Sequence, residues 1–306
     1  MNKFILSIAV ATTLISCSDI ENIFFANKTN PQPTELKLIL RQRNKFSLQW
    51  KEMYKEKDSI GIYLFTADAT RFDPASFLCK NIRAKAFSTR AGVLKWNTDP
   101  TISLPESEVA LYAYFPYRPE DHLRPDAIPV RIAARAEETP VYQFGRLPKG
   151  HKALNRLNPV ALVFMKPVLA DLSFCLTVSK ETKGSFYLEA IQVGNRPGGT
   201  LCLQKAFLNL STGEIKGVPS AAGATRLTVG REPLSSVSSN SFRLRVLPTS
   251  RPAREEEIEV LLTINHETYS FLLPPGTEWK SGYRYLYELI FDGEKVSLNR
   301  KTCAFI

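Results

Sequence analysis

Alternation of apolar and polar residues with a period of two runs through the chain and predicts β-strands. The N-terminal example is residues 35–50, where Leu36, Leu38 and Leu40 alternate with Lys37, Ile39 and Arg41, and a second alternating run follows a basic turn. Residues 60–65 and 109–115 are nearly continuous apolar runs, typical of strands buried on both faces. The pattern therefore predicts an all-β first half.

The second half repeats this organisation with clearer turns. Alternating segments are separated by Gly, Asn and Pro clusters; they lie at residues 172–178, 186–193, 206–215, 242–246, 257–273 and 283–298. Many short strands with frequent turns favour β-sandwiches. Residues 118–159 are rich in proline, and we expect long loops there with a short helix near residues 152–157. The expected organisation is two tandem sandwiches at residues 35–160 and 161–306, preceded by residues 1–16 and a polar tether at 17–34.

The first residues form an export signal. Lys3 precedes an apolar run from Phe4 to Ile15, and the run ends at Leu14-Ile15-Ser16-Cys17. This run is too short for a membrane-spanning helix, which needs about 20 apolar residues. Two aliphatic residues, a small residue and a cysteine resemble the processing site of bacterial lipoproteins, in which the cysteine thiol is diacylated. We therefore expect removal of residues 1–16 and lipidation at Cys17; the alternative is an ordinary secretory signal.

Composition is that of a globular protein with a large core. The chain has 306 residues, of which 44% are hydrophobic and 23% charged. The net charge of +10 is dispersed along the sequence, so we interpret it first as general surface charge and second as a hint of an acidic partner. Besides Cys17, four cysteines occur outside any CxxC pair, at Cys79, Cys175, Cys202 and Cys303. Buried free thiols are favoured there over disulfides.

Four segments carry a recognisable pattern in a fixed order. They are Asp58-Ser59-Ile60-Gly61-Ile62-Tyr63, the tyrosine-rich run 109–117, the hairpin 207–215, and residues 274–285 with a late Trp-x-x-Gly-x-x-Tyr-x-Tyr pattern. Together these segments resemble the fimbrillin family of bacterial pilus subunits. Residues 164–172 lack the histidine that often opens the second domain of the family, and residues 299–306 have no obvious match. The role within a pilus therefore stays open between stalk, tip, anchor and a surface lipoprotein outside a pilus.

The resemblance implies two transthyretin-like β-sandwich domains and a lipid-anchored protein of the outer membrane, on the cell surface or in a fimbrium. It also implies polymerisation by donor-strand exchange, in which a segment of one subunit completes the sandwich of another. In related subunits an arginine-specific protease removes the N-terminal strand. Arg41 and Arg43 are the best-placed candidates here, with Arg90 as a competing site. The alternative is that Arg41 and Arg43 are only solvated turn charges.

The sequence predicts no enzyme, no cofactor and no metal. His122, His151 and His266 are widely spaced, and catalytic or phosphate-binding fingerprints are absent. The expected partners are other pilus subunits, the outer membrane through lipid, and a host protein or glycan, with no nucleic acid. The alternative function is an outer-surface glycan-binding lipoprotein. Its stacking platform would be formed by aromatic residues, although in sandwich strands such residues are more often part of the core. The candidates are Trp50, Trp96, Trp279, Tyr112, Tyr114 and Tyr117.

Overall fold

The computed structural model describes residues 34–42, 54–67, 72–120, 122–237 and 240–305. Within these ranges the protein is all-β, as predicted, with helical turns only at Pro74–Ser76, Ala136–Glu138 and Pro219–Ala221. The strands are β1 Lys37–Gln42, β2 Ser59–Thr66, β3 Phe77–Ser88, β4 Leu94–Asp99, β5 Val109–Phe115, β6 Ile128–Arg131, β7 Gln143–Arg146, β8 Val160–Pro167, β9 Ala170–Val178, β10 Tyr187–Asn195, β11 Lys205–Leu208, β12 Ile215–Gly217, β13 Thr225–Pro233, β14 Ser241–Val246, β15 Ile258–Ile264, β16 Glu267–Leu272, β17 Tyr283–Phe291 and β18 Val296–Phe305. No helix in the described part of the chain has the length and apolar character needed to cross a membrane.

Seven strands form the N-terminal sheet in the order β1-β8-β7-β5-β2-β3-β4. All neighbours are antiparallel except β1 and β8, which run parallel. The two ends of the sheet meet because the segment after β4 bridges the segment before β1. Leu36 N–H donates to the Ile102 carbonyl at 3.0 Å, and Leu104 N–H donates to the Thr34 carbonyl at 3.1 Å.

The apolar run in β2 serves two cores, one on each face of this sheet. Ile60, Ile62 and Leu64 lie in the core that the curled sheet encloses. Tyr63 and Phe65 point to the opposite face, where the three-stranded sheet β12-β11-β6 covers them. The expectation that residues 60–65 form a strand buried on both faces is confirmed.

Two four-stranded sheets enclose the third core. Their orders are β13-β10-β15-β16 and β14-β9-β17-β18. Phe174 on β9 and Tyr287 on β17 stack inside this core at 5.3 Å between ring centroids. The division into two domains at residue 160 stays a prediction. Two pairings cross that residue: β8, which begins there, belongs to the N-terminal seven-stranded sheet, and β6 pairs with β11 from the later part of the chain.

The expected short helix near residues 152–157 is wrong. Leu154 bridges Val109 instead, and residues 155–158 form a turn. Asn155 explains this local choice, because its side-chain oxygen accepts the backbone N–H groups of Leu157 and Asn158, both at 3.0 Å. Such side-chain bonds compete with helix formation. The same proline-rich region also contains β6 and β7, which the sequence did not reveal.

Candidate functional site: strand β1 and its edge

Strand β1 lies at the end of the seven-stranded sheet and is held mainly by β8. The parallel register pairs Lys37 with Val160 and continues to Gln42 opposite Met165. Leu36 and Leu38 are only 7% and 8% exposed and enter the enclosed core, whereas the Ile39 side chain on the other face is 39% exposed. The strand therefore contributes one row of apolar side chains and a single full ladder of hydrogen bonds.

Removing β1 would open a defined groove. Strand β8 lies between β1 and β7, so its outer backbone edge would lose its partner. The enclosed core would lose Leu36 and Leu38 and become accessible at neighbouring residues such as Ala161 and Val163. Because β1 comes first in the described sheet, its removal would not cut the connection between any other two strands.

The predicted processing and lipidation residues fall only partly within the described chain. Arg41 lies in β1 opposite Phe164 and is half-buried. Arg90 lies in the turn between β3 and β4 and is exposed. Cys17 and Arg43 lie outside the described residues. Of the two described candidates, Arg41 and Arg90, Arg90 is therefore the more accessible to a protease. Cleavage after Arg90 would not, however, release β1.

The three histidines lie on separate elements. His122 is exposed in a loop, and His266 lies in the β15–β16 turn with its Nδ1 3.0 Å from Glu189 Oε1. His151 Nε2 accepts the backbone N–H of Leu162 at 3.3 Å. Within the described ranges, no three His, Cys, Asp or Glu side chains are grouped so that they could hold a metal ion.

The aromatic residues considered for a sugar platform are distributed among different cores. Trp279 and Tyr114 are 1% and 2% exposed, in the third core and beneath the three-stranded sheet, respectively. Tyr112 packs edge-on against Phe65 at 5.6 Å, and Trp96 packs against Tyr54 at 5.2 Å. Trp50 and Tyr117 complete the predicted set; Trp50 lies outside the described residues, and Tyr117 is half-buried. Among the described members, Trp279, Trp96 and the pair Tyr112 and Tyr114 pack into three different cores.

The late Trp-x-x-Gly-x-x-Tyr-x-Tyr segment is a hydrogen-bonded unit in the third core. Trp279 Nε1–H donates to the Tyr287 hydroxyl at 2.9 Å, and the Lys280 backbone N–H donates to the Tyr285 hydroxyl at 2.8 Å. Gly282 has a φ of +74°, a conformation that favours glycine. Burial raises the pKa of Tyr287, so its hydroxyl stays neutral and available to the indole.

The four cysteines of the described chain are unpaired. Cys79 and Cys175 are half-buried, Cys202 is buried, and Cys303 is exposed on β18. Burial raises the pKa of the Cys202 thiol to about 12, which keeps it protonated and unreactive.

Solved structures show the same fold at low sequence identity. A candidate cell adhesion protein from Bacteroides ovatus matches with a TM-score of 0.64 and 14% identity, covering 90% of this chain and 97% of its own. A candidate cell adhesion protein from Bacteroides uniformis matches with a TM-score of 0.63 and 15% identity, covering 90% and 99%. A fimbrial protein from Bacteroides vulgatus matches with a TM-score of 0.57 and 11% identity, covering 89% and 99%. No curated protein matches the sequence.

These likenesses define the class as an all-β protein with the architecture of bacterial fimbrial and adhesion proteins. A family profile described as fimbrillin-like matches residues 50–302. The chain therefore belongs to the fimbrillin-like family, and the family resemblance predicted from the sequence is confirmed.

Proposed function

We propose that this protein is a subunit of a surface pilus, exported as a lipoprotein acylated at Cys17 and assembled by exchange of strand β1. Its role is adhesion, at the cell surface or in a fimbrium of the outer membrane. Family membership and the fold of the fimbrial and adhesion structures support the pilus role. The observation that carries strand exchange is the terminal strand β1 with the residue before it. Leu36 and Leu38 fill a core that β8 and residues 102–104 border.

The physical reason for exchange is the groove that β1 would leave. An unpaired strand edge beside exposed apolar side chains is a template for another strand. An extended segment of a neighbouring subunit supplies the missing backbone hydrogen bonds, and alternate side chains enter the positions of Leu36 and Leu38. Assembly then restores in the polymer the backbone hydrogen bonds and the buried side chains that the monomer loses with β1.

The scale of this loss fits an exchangeable strand. Full burial of a leucine side chain contributes about 1.5–3 kcal/mol, so Leu36 and Leu38 together contribute roughly 3–6 kcal/mol. A folded protein is typically stable by about 5–15 kcal/mol. Loss of β1 should therefore weaken the N-terminal sheet strongly while leaving most of its internal pairing available to a donor strand.

The test is limited digestion of the full chain with an arginine-specific protease, followed by N-terminal sequencing and gel electrophoresis without boiling. We expect a new N-terminus directly after Arg41 or Arg43, together with a ladder of denaturant-resistant oligomers. Arg41→Lys combined with Arg43→Lys should abolish both the new N-terminus and the ladder of oligomers. Arg90→Lys is the matched control, because it removes an exposed arginine that does not separate β1 from the fold.

Three outcomes would contradict the proposal. One is surface-extracted protein that begins only at Cys17, another is a cleaved protein that stays monomeric, and the third is loss of the ladder in Arg90→Lys alone. Lipidation has its own test, incorporation of labelled palmitate in a bacterial host. The label should be lost in Cys17→Ala and kept in Cys79→Ala; a chain without label from the start would indicate an ordinary secretory signal.

A further inference from the structure

A cleft of about 280 Å³ opens on the outer face of the seven-stranded sheet, beside the tip of the β11–β12 hairpin. Its lining includes Phe144 on β7, Phe164 on β8 and Thr212 in the hairpin turn. The turn is seated directly on the floor, because a Cβ built on Gly213 would lie 2.4 Å from Phe144 Cζ. The hairpin therefore forms a fixed wall over an aromatic base.

Three cations line this cleft, and none of the described residues in its lining is acidic. They are Arg146, Lys149 and Lys166, all exposed. Among the described residues, no carboxylate lies within ion-pair distance of any of them. Arg146 is oriented by one bond, from its Nη1 to the Ser211 carbonyl at 2.8 Å. Positive charge that no neighbouring acid neutralises attracts an anionic ligand.

The strand register places cations and rings in alternation on one face. Phe144 on β7 pairs with Lys166 on β8, and Arg146 pairs with Phe164. Paired residues of neighbouring strands project from the same side of a sheet. The floor thus offers apolar surface and charge within one small area, which suits a ligand that has both an apolar face and an anionic group.

A second hollow of about 270 Å³ continues from the cleft and shares Arg146, Leu147 and Pro148 with it. Lys152 and His151 lie in this extension, and Glu108 is the one carboxylate among its described lining residues. The two spaces therefore form a path along the surface that is longer than a single small anion needs.

We propose that this cleft binds an acidic saccharide, with uronate or sulfate groups on the three cations and the C–H face of a sugar ring on the phenyl floor. The backbone argues against a peptide, because β7 and β8 each have neighbours on both sides and leave no free edge for strand addition. The inference names a ligand class for the adhesive role proposed above. It does not depend on strand exchange, so the intact monomer can test it.

The experiment measures binding of the full chain to immobilised dextran sulfate, polygalacturonate and neutral dextran at about 150 mM salt, where long-range charge effects are screened. Dextran sulfate and polygalacturonate distinguish sulfate from carboxylate recognition. Lys149→Gln combined with Lys166→Gln should weaken binding about tenfold or more, because each lysine would otherwise donate a charge-assisted hydrogen bond to an anionic group of the ligand. This variant leaves the Arg146–Ser211 contact intact; adding Arg146→Gln should remove the remaining affinity.

A charge-matched control comes from the outer face of the three-stranded sheet. That face carries one arginine and two lysines around Phe207, whose side chain is 44% exposed. The control variant replaces these three cations, Arg131, Lys205 and Lys216, with Gln. It removes the same charge as the triple cleft variant, in which Arg146, Lys149 and Lys166 are all replaced, but outside the cleft. We therefore expect it to bind within about twofold of the unmodified chain. Thermal unfolding of each variant checks that the fold is retained.

The inference is overturned if neither acidic saccharide binds, or if the control variant weakens binding as much as the cleft variant does. The second result would show that the total positive charge is sufficient. Polyglutamate provides a further test of the ligand class. If polyglutamate binds as tightly as the saccharides and depends on Lys149 and Lys166 in the same way, the cleft is a site for acidic peptides.

Discussion

Replacement of Tyr287 by Phe isolates one buried hydrogen bond in the family's aromatic signature. Tyr287 is fully buried, and its hydroxyl accepts Trp279 Nε1–H at 2.9 Å. The substitution keeps the ring, and with it the stacking on Phe174 at 5.3 Å and the contact with Lys301 Nζ, 5.6 Å from the ring centroid. Only the acceptor of the indole N–H is lost.

The expected cost follows from what happens to that N–H group. Trp279 is 1% exposed, so water cannot replace the lost acceptor. Leaving a buried donor unsatisfied costs about 1–3 kcal/mol. For a domain of about 150–250 residues, each kcal/mol lowers the midpoint of thermal unfolding by roughly 2–4 °C. We therefore expect a clear loss of stability from the removal of a single oxygen atom.

Thermal and urea unfolding, followed by circular dichroism, measure this effect. Tyr283→Phe is the control on the same strand, because no described residue hydrogen-bonds to the Tyr283 hydroxyl and its ring packs edge-on against Phe305 at 5.2 Å. The control should change the free energy of unfolding by less than about 0.5 kcal/mol. If Tyr287→Phe is equally silent, the Trp279–Tyr287 bond does not stabilise the third core and the explanation of the signature is wrong.

Two further substitutions test the hairpin wall and an ion pair. Gly213→Ala should destabilise more than Gly276→Ala by about 1–2 kcal/mol in urea unfolding; both have a φ near +78°, but only the Gly213 methyl would meet the Phe144 ring. The hydrogen bond from Arg251 holds the pKa of the Glu257 carboxyl below its usual value. The ionised carboxylate therefore stabilises the fold above about pH 4.3, and this stabilisation is lost as the pH falls through the folded-state pKa. The difference in melting temperature between the unmodified chain and Glu257→Gln should therefore narrow from pH 7 to about pH 3, and a constant difference would contradict the assignment.

Local pattern was sufficient for the strands whose burial is simple. Residues 60–65 and 109–115 are apolar on both faces because each contributes to two cores, and the structure places them as β2 and β5 in adjacent positions. The hairpin around residues 211–213 was also predictable, since Asn209 and Gly213 are turn formers beside alternating strands. Short strands interrupted by proline, such as β6 with Pro129, carry too little periodicity to be found in this way.

The pairing of strands that are distant in sequence could not be predicted from local sequence patterns. Nothing in residues 37–42 indicates that their partner is β8, and a parallel pair has no tight turn to reveal its register. The same limit hid the cleft, because Lys166 joins Arg146 and Lys149 only through the β7–β8 pairing. The aromatic residues considered for a sugar platform did not reveal a binding surface, because the rings best suited to stacking on sugars are also the best core formers.

Under the proposed function, the order of the lipidated cysteine, strand β1 and the cleavage site along the chain gives a single cleavage two consequences. Cys17 precedes both arginines, and β1 ends at Gln42, one residue after Arg41 and one before Arg43. Cleavage after Arg41 or Arg43 would therefore separate the lipid anchor, together with nearly all or all of β1, from the rest of the fold, and would open the groove in the same step. Cleavage after Arg90 would instead cut the β3–β4 turn and leave β1 paired with β8. We therefore expect labelled palmitate to leave with the short N-terminal fragment, and the long fragment alone to enter the denaturant-resistant ladder. Palmitate that remains in the ladder at one label per subunit would show that assembly proceeds with β1 in place.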